Sequence, residues 1–144
     1  RKNGGKIYLS DDIHLSYYCR DSIKGIAQMA RKNGMWNIIT MKLCPGSMGL
    51  RHFIPFLFVV SIVALALLGL IHWLFWAVLG FEVVLYLLLD VFFSVKSGAT
   101  AKERLLLIVL FPIFHISYGV GSIGGLFKIC TKKYRKNRYI PKSI

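Results

Sequence analysis

The sequence predicts a mostly α-helical membrane protein: a short β/α region, interfacial helices, a transmembrane helical hairpin and a third, glycine-rich apolar segment. Composition is the first reason, because 56% of the 144 residues are hydrophobic and only 17% are charged. Charge placement is the second. The 19 Lys and Arg residues give a net charge of +13, yet none lies in 53–95 or 105–127. Uncharged blocks between basic flanks are typical of membrane segments, since a charge in hydrocarbon is costly.

The same composition, with a mean hydropathy of +0.57, excludes an ordinary soluble domain and a disordered chain. The three cysteines, Cys19, Cys44 and Cys130, are odd in number and lack metal-ligand spacing. They therefore predict neither a disulfide scaffold nor a metal site. We expect them to be buried or membrane-facing thiols.

The N-terminal region, 1–44, begins with two short strand candidates. Residues 6–10 and 13–18 are rich in Ile, Leu and Tyr, which favour strands. Asp11 and Asp12 separate them as a turn, following the usual preference of Asp. The chain opens on Arg1 and not on Met, so we expect it to continue a longer protein.

Two short helices are predicted next. Ser22 offers an N-cap for a helix from residue 23 to about residue 32, which Gly34 can close. A second helix is predicted over about 35–43, where Trp36 and neighbouring apolar residues suit the membrane interface.

The stretch 53–95, which has no Lys or Arg, is too long for one crossing, because a single helix would extend about 65 Å, twice the hydrocarbon thickness. Within 45–95 we therefore predict a hairpin of two transmembrane helices, at about 53–71 and 73–94. A cytoplasmic loop, 96–104, would connect it to a third membrane segment, 105–127, and a basic tail, 128–144. The positive-inside rule favours a cytoplasmic tail. Pro112 and the glycines near residue 121 therefore predict a bent or re-entrant third segment.

Polar residues within the apolar blocks are candidates for function. Glu82 falls near the bilayer centre, His115 at a similar depth, and Tyr118 in the small-residue part of the third segment. A contact between Glu82 and His115 is predicted, whereas Asp90 is expected at the interface. The alternative is that these groups only hold neighbouring helices together.

The tail interleaves seven Lys and Arg residues with two tyrosines. Such a segment can bind nucleic acid, but next to a membrane block anionic lipid is the simpler partner. We therefore predict the lipid bilayer and anionic lipids as partners, and no nucleic acid.

Gln28 and Arg31 share one face of the predicted helix because they are three residues apart. An arginine there can hold phosphate oxygens bidentately, with an amide contact from Gln28 and stacking by Trp36. The alternative is a solvated polar helix face.

The order of these pieces resembles the end of the catalytic region of family 2 glycosyltransferases, inverting enzymes of the GT-A fold. In that family an acidic E-D pair precedes R-x-x-G-x-x-I, a strand follows, and a later helix carries Q-x-x-R near a Trp. The matching stretches here are RKNGGKIYLS (1–10), LSYYCRDS (15–22) and 28–36. The apolar segments ending in HISYGVGS (115–122) resemble the membrane region of the succinoglycan-biosynthesis branch. Residues 1–44 would then be a remnant of a GT-A domain.

The resemblance implies an enzyme that transfers a sugar from a nucleotide-sugar donor to a lipid-linked saccharide acceptor in surface polysaccharide synthesis. Gln28, Arg31 and Trp36 would line the membrane-side wall of its active site. The donor-binding residues, the metal site and the catalytic base would precede this chain, which would be inactive alone. Mg or Mn and the nucleotide sugar are expected only in the full-length enzyme. The alternative is a small, non-enzymatic membrane anchor or scaffold with a lipid-binding tail.

The resemblance also implies a location. Nucleotide sugars are made in the cytoplasm, so the N-terminal side of the chain would be cytoplasmic. The protein would be a multi-pass protein of the inner cell membrane.

Overall fold

The computed structural model describes residues 6, 8 and 10–131, of which 76% are helical. There are four α-helices, α1 (Ile23–Leu43), α2 (Ile54–Gly69), α3 (Leu74–Ser97) and α4 (Ala101–Ile129), and a 3₁₀ turn (Leu50–Phe53) precedes α2. The predicted, mostly helical fold is thus confirmed, with three helices long and apolar enough to cross a membrane.

The predicted strands are not found among the described residues. Residues 13–18 are irregular and exposed, and parts of 6–10 lie outside the described residues. A strand needs neighbouring strands to satisfy its backbone groups, and the described chain supplies none. The turn at Asp11 and Asp12 is present, and the Asp12 N–H donates to Ser10 Oγ at 3.3 Å. The predicted GT-A remnant therefore stays a prediction.

Helix α1 is one continuous element, not two. Ser22 caps it as predicted, with its Oγ accepting from the Gly25 N–H at 3.2 Å. The predicted stop at Gly34 is wrong, because the helix continues to Leu43 and ends before the break at 44–47. A glycine costs a helix interior about 1 kcal/mol, which packing can offset. Gly34 is buried, and its packing is described below.

Helices α2 and α3 form the antiparallel hairpin. The Phe58 ring stacks on the Tyr86 ring with centroids 4.4 Å apart, and Ser61 meets Glu82 one turn further on. At the turn between the helices, Trp76 lies over Gly69, where a Cβ would come within 2.5 Å of the indole Nε1. Residue numbers increase along α2 while those of their contact partners decrease along α3. These pairs define the register of the antiparallel hairpin.

Helix α4 begins earlier than the sequence predicts. Glu103 Oε2 accepts from the Thr100 N–H at 3.2 Å, and the Glu103 N–H donates to Thr100 Oγ1 at 3.2 Å. This capping box starts the helix at Ala101, so the predicted loop 96–104 shortens to 98–100.

The expected break in the third segment is also absent. Pro112 lies inside α4, which runs unbroken for 29 residues. Proline removes one backbone donor, and this loss does not end a helix whose neighbouring turns remain bonded. The glycines that follow are part of the helix and meet other helices.

The three long helices expose mostly apolar side chains. Only 6%, 11% and 22% of their most apolar windows are buried within the described chain, for α2 with its 3₁₀ turn, α3 and α4 respectively. This outward apolar surface is consistent with a multi-pass membrane protein. The three cysteines are free, and all are exposed rather than buried. The basic tail after Thr131 lies outside the described residues.

Candidate functional site

Helix α1 meets α4 through glycines on both sides. A Cβ on Gly34 would overlap the carbonyl oxygen of Tyr118, and a Cβ on Gly121 would overlap the carbonyl oxygen of Arg31. At Gly125 a Cβ would lie 2.8 Å from the Met35 carbonyl oxygen. The two backbones are therefore too close for any side chain at these positions, as in small-residue contacts between membrane helices.

Hydrogen bonds and apolar packing complete this contact. Asn37 Nδ2 donates to Tyr118 Oη, and Ser122 Oγ donates to the Tyr118 carbonyl oxygen at 3.1 Å. On α1, Ile38 and Ile39 are 2% and 1% exposed. This contact holds α1, and with it the backbone of Arg31, against one face of α4.

A cavity of about 340 Å³ lies beside the glycine contact. Its polar lining is Gln28, Arg31 and Lys32 from α1 and Lys128 from the last turn of α4. A neighbouring cavity of about 410 Å³ shares Gln28 and Lys32 and adds Arg20. No acidic residue of the described chain lines either cavity. We call these two cavities the basic cleft.

The basic cleft lies near the N-terminal end of α2. Gly119, two residues before Gly121, is so close to Pro55 that a Cβ would lie 2.5 Å from the Pro55 carbonyl oxygen. Pro55 follows the 3₁₀ turn that carries Arg51 and His52, where the apolar span starts. The stretch of α4 that lines the cleft is therefore level with the polar end of α2, although Gly119 and Gly121 face different sides of α4.

The side chains of the cleft suit an anion. Arg31 offers a planar fork that holds two oxygens at once, and the lysines act as compact positive charges. The Gln28 amide adds a neutral donor. The cleft can bind a phosphate or diphosphate group, but it has no carboxylate to act as a base.

The structure brings together two of the three residues predicted for this site. Gln28 and Arg31 share the cleft, whereas Trp36 lines neither cavity and is 49% exposed. Lys32 and Lys128 are cleft residues that were not among the predicted site residues. Lys32 was detectable, since it follows Gln28 by four residues; Lys128 depends on which helices meet.

The polar residues of the apolar helices form two separate groups. Ser61 Oγ donates to Glu82 Oε1 between α2 and α3, and Tyr86 Oη hydrogen bonds His115 Nδ1 at 3.0 Å between α3 and α4. The side chains predicted to contact each other, Glu82 and His115, thus have different partners. Tyr118, a third candidate, lies 6% exposed in the α1–α4 contact.

Asp90, which is expected at the membrane interface, is buried among neighbouring side chains. It is only 5% exposed, and Ser94 Oγ donates to its Oδ1 at 3.3 Å. Within the described residues, no three His, Cys, Asp or Glu side chains group as metal ligands would. Comparison of the chain with protein-family models, curated proteins and solved structures finds no match.

Proposed function

We propose that this chain is the C-terminal membrane part of an inverting, family 2 glycosyltransferase that builds a surface polysaccharide. In this proposal the basic cleft holds the phosphate groups of a nucleotide-sugar donor or of a lipid-linked acceptor. The supporting observation is the convergence of Gln28, Arg31, Lys32 and Lys128 on one cavity of about 340 Å³. The resemblance of residues 1–36 to the end of a GT-A catalytic region supplies the reaction.

The position of the cleft favours a lipid-linked acceptor. Such a molecule has its hydrocarbon chain in the bilayer and its phosphate groups at the surface, so its protein site needs both environments. The cleft combines cations with Met35 and two glycines of α4, and this stretch of α4 is level with the start of α2. A phosphate near three cations is stabilised electrostatically more strongly there than in bulk water.

The chemical step would take place next to the cleft rather than in it. A carboxylate outside these residues would take the proton of the acceptor hydroxyl, and the hydroxyl oxygen would bond to the sugar C1 with inversion. The bond from C1 to the nucleoside diphosphate of the donor would break in the same step, and the nucleoside diphosphate would leave. The cations of the cleft would hold the phosphate groups in line for this attack. The divalent metal, Mg or Mn, belongs in this proposal to the catalytic region that carries the donor site.

The test is replacement of Arg31 in the full-length enzyme. Arg31→Lys keeps the charge but loses the bidentate fork, so we expect a partial loss of sugar transfer. Arg31→Ala removes a charge-assisted hydrogen bond worth about 1.5–3 kcal/mol, so we expect transfer to fall about ten- to a hundredfold. Lys24→Ala is the matched control, because Lys24 is an exposed cation of α1 that lines neither cavity.

Membrane insertion of each variant is measured by alkaline extraction, so that misfolding is not mistaken for lost chemistry. Wild-type transfer by Arg31→Ala, with normal insertion, would contradict the role of the cleft. It would mean that the cations of the cleft only contact lipid headgroups and that transfer does not depend on them.

A further inference from the structure

A second cavity lies among the apolar helices and is separate from the basic cleft. It measures about 560 Å³ and lies between the N-terminal end of α2, the C-terminal half of α3 and the middle of α4. Four of its ten lining residues are polar, Tyr86, Asp90, Ser97 and His115, and the other six are apolar. A largely apolar cavity of this size with a few convergent polar groups is typical of a small-molecule site.

Asp90, which lines this cavity, has one carboxyl oxygen that makes no hydrogen bond within the described chain. One carboxyl oxygen, Oδ1, accepts from Ser94, while Oδ2 is buried and has no hydrogen-bond partner among the described residues. An unpaired buried polar atom costs about 1–3 kcal/mol and is rare in folded proteins. A ligand that donates a hydrogen bond to Oδ2 would remove that cost.

His115 supplies a second polar contact point. Its Nδ1 hydrogen bonds the Tyr86 hydroxyl at 3.0 Å. The other nitrogen of the neutral ring, Nε2, is then a donor in one tautomer and an acceptor in the other. His115 also interacts electrostatically with Asp90. The two side chains therefore define one polar spot in an otherwise apolar cavity.

We propose that this cavity binds a lipid alcohol, a long apolar chain that ends in a hydroxyl group. The chain would occupy the apolar part of the cavity, and the hydroxyl would donate to Asp90 Oδ2. A hydroxyl can also accept or donate a hydrogen bond, so it matches either tautomer of His115.

Other headgroups fit less well. A phosphate is repelled by the Asp90 carboxylate, and its natural place in this chain is the basic cleft. An ammonium group only donates, so it matches only the tautomer of His115 in which Nε2 accepts, whereas a hydroxyl matches both tautomers. The site is distinct from the proposed glycosyltransferase chemistry and stands whether or not that proposal holds.

The test uses the full chain in phosphatidylcholine vesicles with hexadecanol that carries a photoreactive diazirine in its chain. We expect labelling of α3 or α4 next to the cavity, and competition by unlabelled hexadecanol. Hexadecyl methyl ether lacks the donor, so we expect it to compete at least tenfold less well. Equal competition by the ether would overturn the proposal in favour of a purely apolar cavity. Stronger competition by hexadecylamine would overturn it in favour of a cation site.

Two variants test the cavity by different routes. Asp90→Leu removes the acceptor and Leu89→Trp adds bulk to the lining, and we expect each to reduce labelling about tenfold. Glu82→Leu is the matched control, because Glu82 is a carboxylate of the same helix that does not line the cavity. Circular dichroism checks that each variant is helical. If Asp90→Leu does not fold, Leu89→Trp and the competition series decide. Undiminished labelling in a folded variant would overturn the proposal.

Discussion

At the scale of single residues, the missing side chains of three glycines determine how α1 is held. Gly34, Gly121 and Gly125 let the two backbones approach until carbonyl oxygens occupy the space of a Cβ. Gly124 lies in the same helix, yet a Cβ there would meet no atom within 4 Å. We therefore expect an added methyl group to disturb the α1–α4 contact at Gly121 or Gly125, but not at the neighbouring Gly124.

We predict that Gly121→Ala detaches α1 from α4, whereas Gly124→Ala does not. The first change forces the Arg31 carbonyl away, and overpacking of this kind costs about 1–3 kcal/mol. The second only removes a flexible glycine from a helix, which stabilises by about 0.5–1 kcal/mol. Limited trypsin cleavage after Arg31 and Lys32, with the chain in vesicles, measures the detachment. Cleavage should rise about fivefold or more in Gly121→Ala, and equal rates in both variants would contradict this account.

Residue spacing predicts part of the candidate site. Gln28 and Arg31 are three residues apart, so a helix places them on one face before anything is known of its neighbours. Lys128 and Asn37 could not be assigned in this way, because their roles depend on which two helices meet. The Gly121-x-x-x-Gly125 spacing was the available signal for that meeting.

At the scale of elements, α4 combines two properties. It is unbroken and long enough to cross a membrane, yet residues 118–125 lie against α1, and Gly119 lies against the start of α2. Helix α1 carries Lys24, Arg31 and Lys32, so it is unsuited to the bilayer interior. The C-terminal third of α4 therefore stays beside elements that precede the first span.

We predict that the tail lies on the same side of the membrane as α1, the cytoplasmic side in the proposed topology. A cysteine is placed at Ser143 after the three native cysteines are replaced. A membrane-impermeant maleimide should not modify it in intact cells, and should modify it after lysis. Modification before lysis would mean that α4 crosses completely and leaves the tail outside. A cysteine at His72, in the turn of the hairpin, serves as the positive control for outside labelling.

Hydrophobic blocks predict where helices occur but not how their ends form. The hairpin segments were placed to within a few residues, because a long run without Lys or Arg and a turn near Trp73 leave little freedom. The start of α4 was placed four residues late, since the capping box of Thr100 and Glu103 extends the helix into the charged loop. The predicted stop in α1 failed for the opposite reason: tertiary packing of Gly34 overrides its local preference.

At the scale of the whole molecule, the described chain has cationic side chains at its polar end, and the acidic side chains of its helices lie apart from one another. Glu82 and Asp90 lie in the apolar helices, each with a serine partner, and Glu103 caps a helix. No described group of three side chains has the composition of a metal site. This distribution suits the binding of anionic groups.

We therefore predict that this chain, expressed alone and purified in detergent, binds no UDP- or GDP-sugar at micromolar concentration, even with Mg or Mn present. Isothermal titration calorimetry measures this directly. Inorganic diphosphate serves as the comparison, because the basic cleft should bind it weakly and with strong dependence on salt. Micromolar binding of a nucleotide sugar would place a donor site in this chain. It would contradict the proposal that the donor site belongs to a catalytic region outside these residues.

The contact between α1 and α4 also sets an order of events during synthesis. Asn37 and Tyr118, which hydrogen bond each other, are 81 residues apart. At about 5–20 residues per second, a ribosome needs roughly 4–16 seconds to make the second after the first. Helix α1 therefore leaves the ribosome before its glycine-lined partner exists, and it can dock only after the hairpin has been made. Any product that stops before Tyr118 would carry a helix with no place to bind, which gives quality-control proteases a way to recognise incomplete chains.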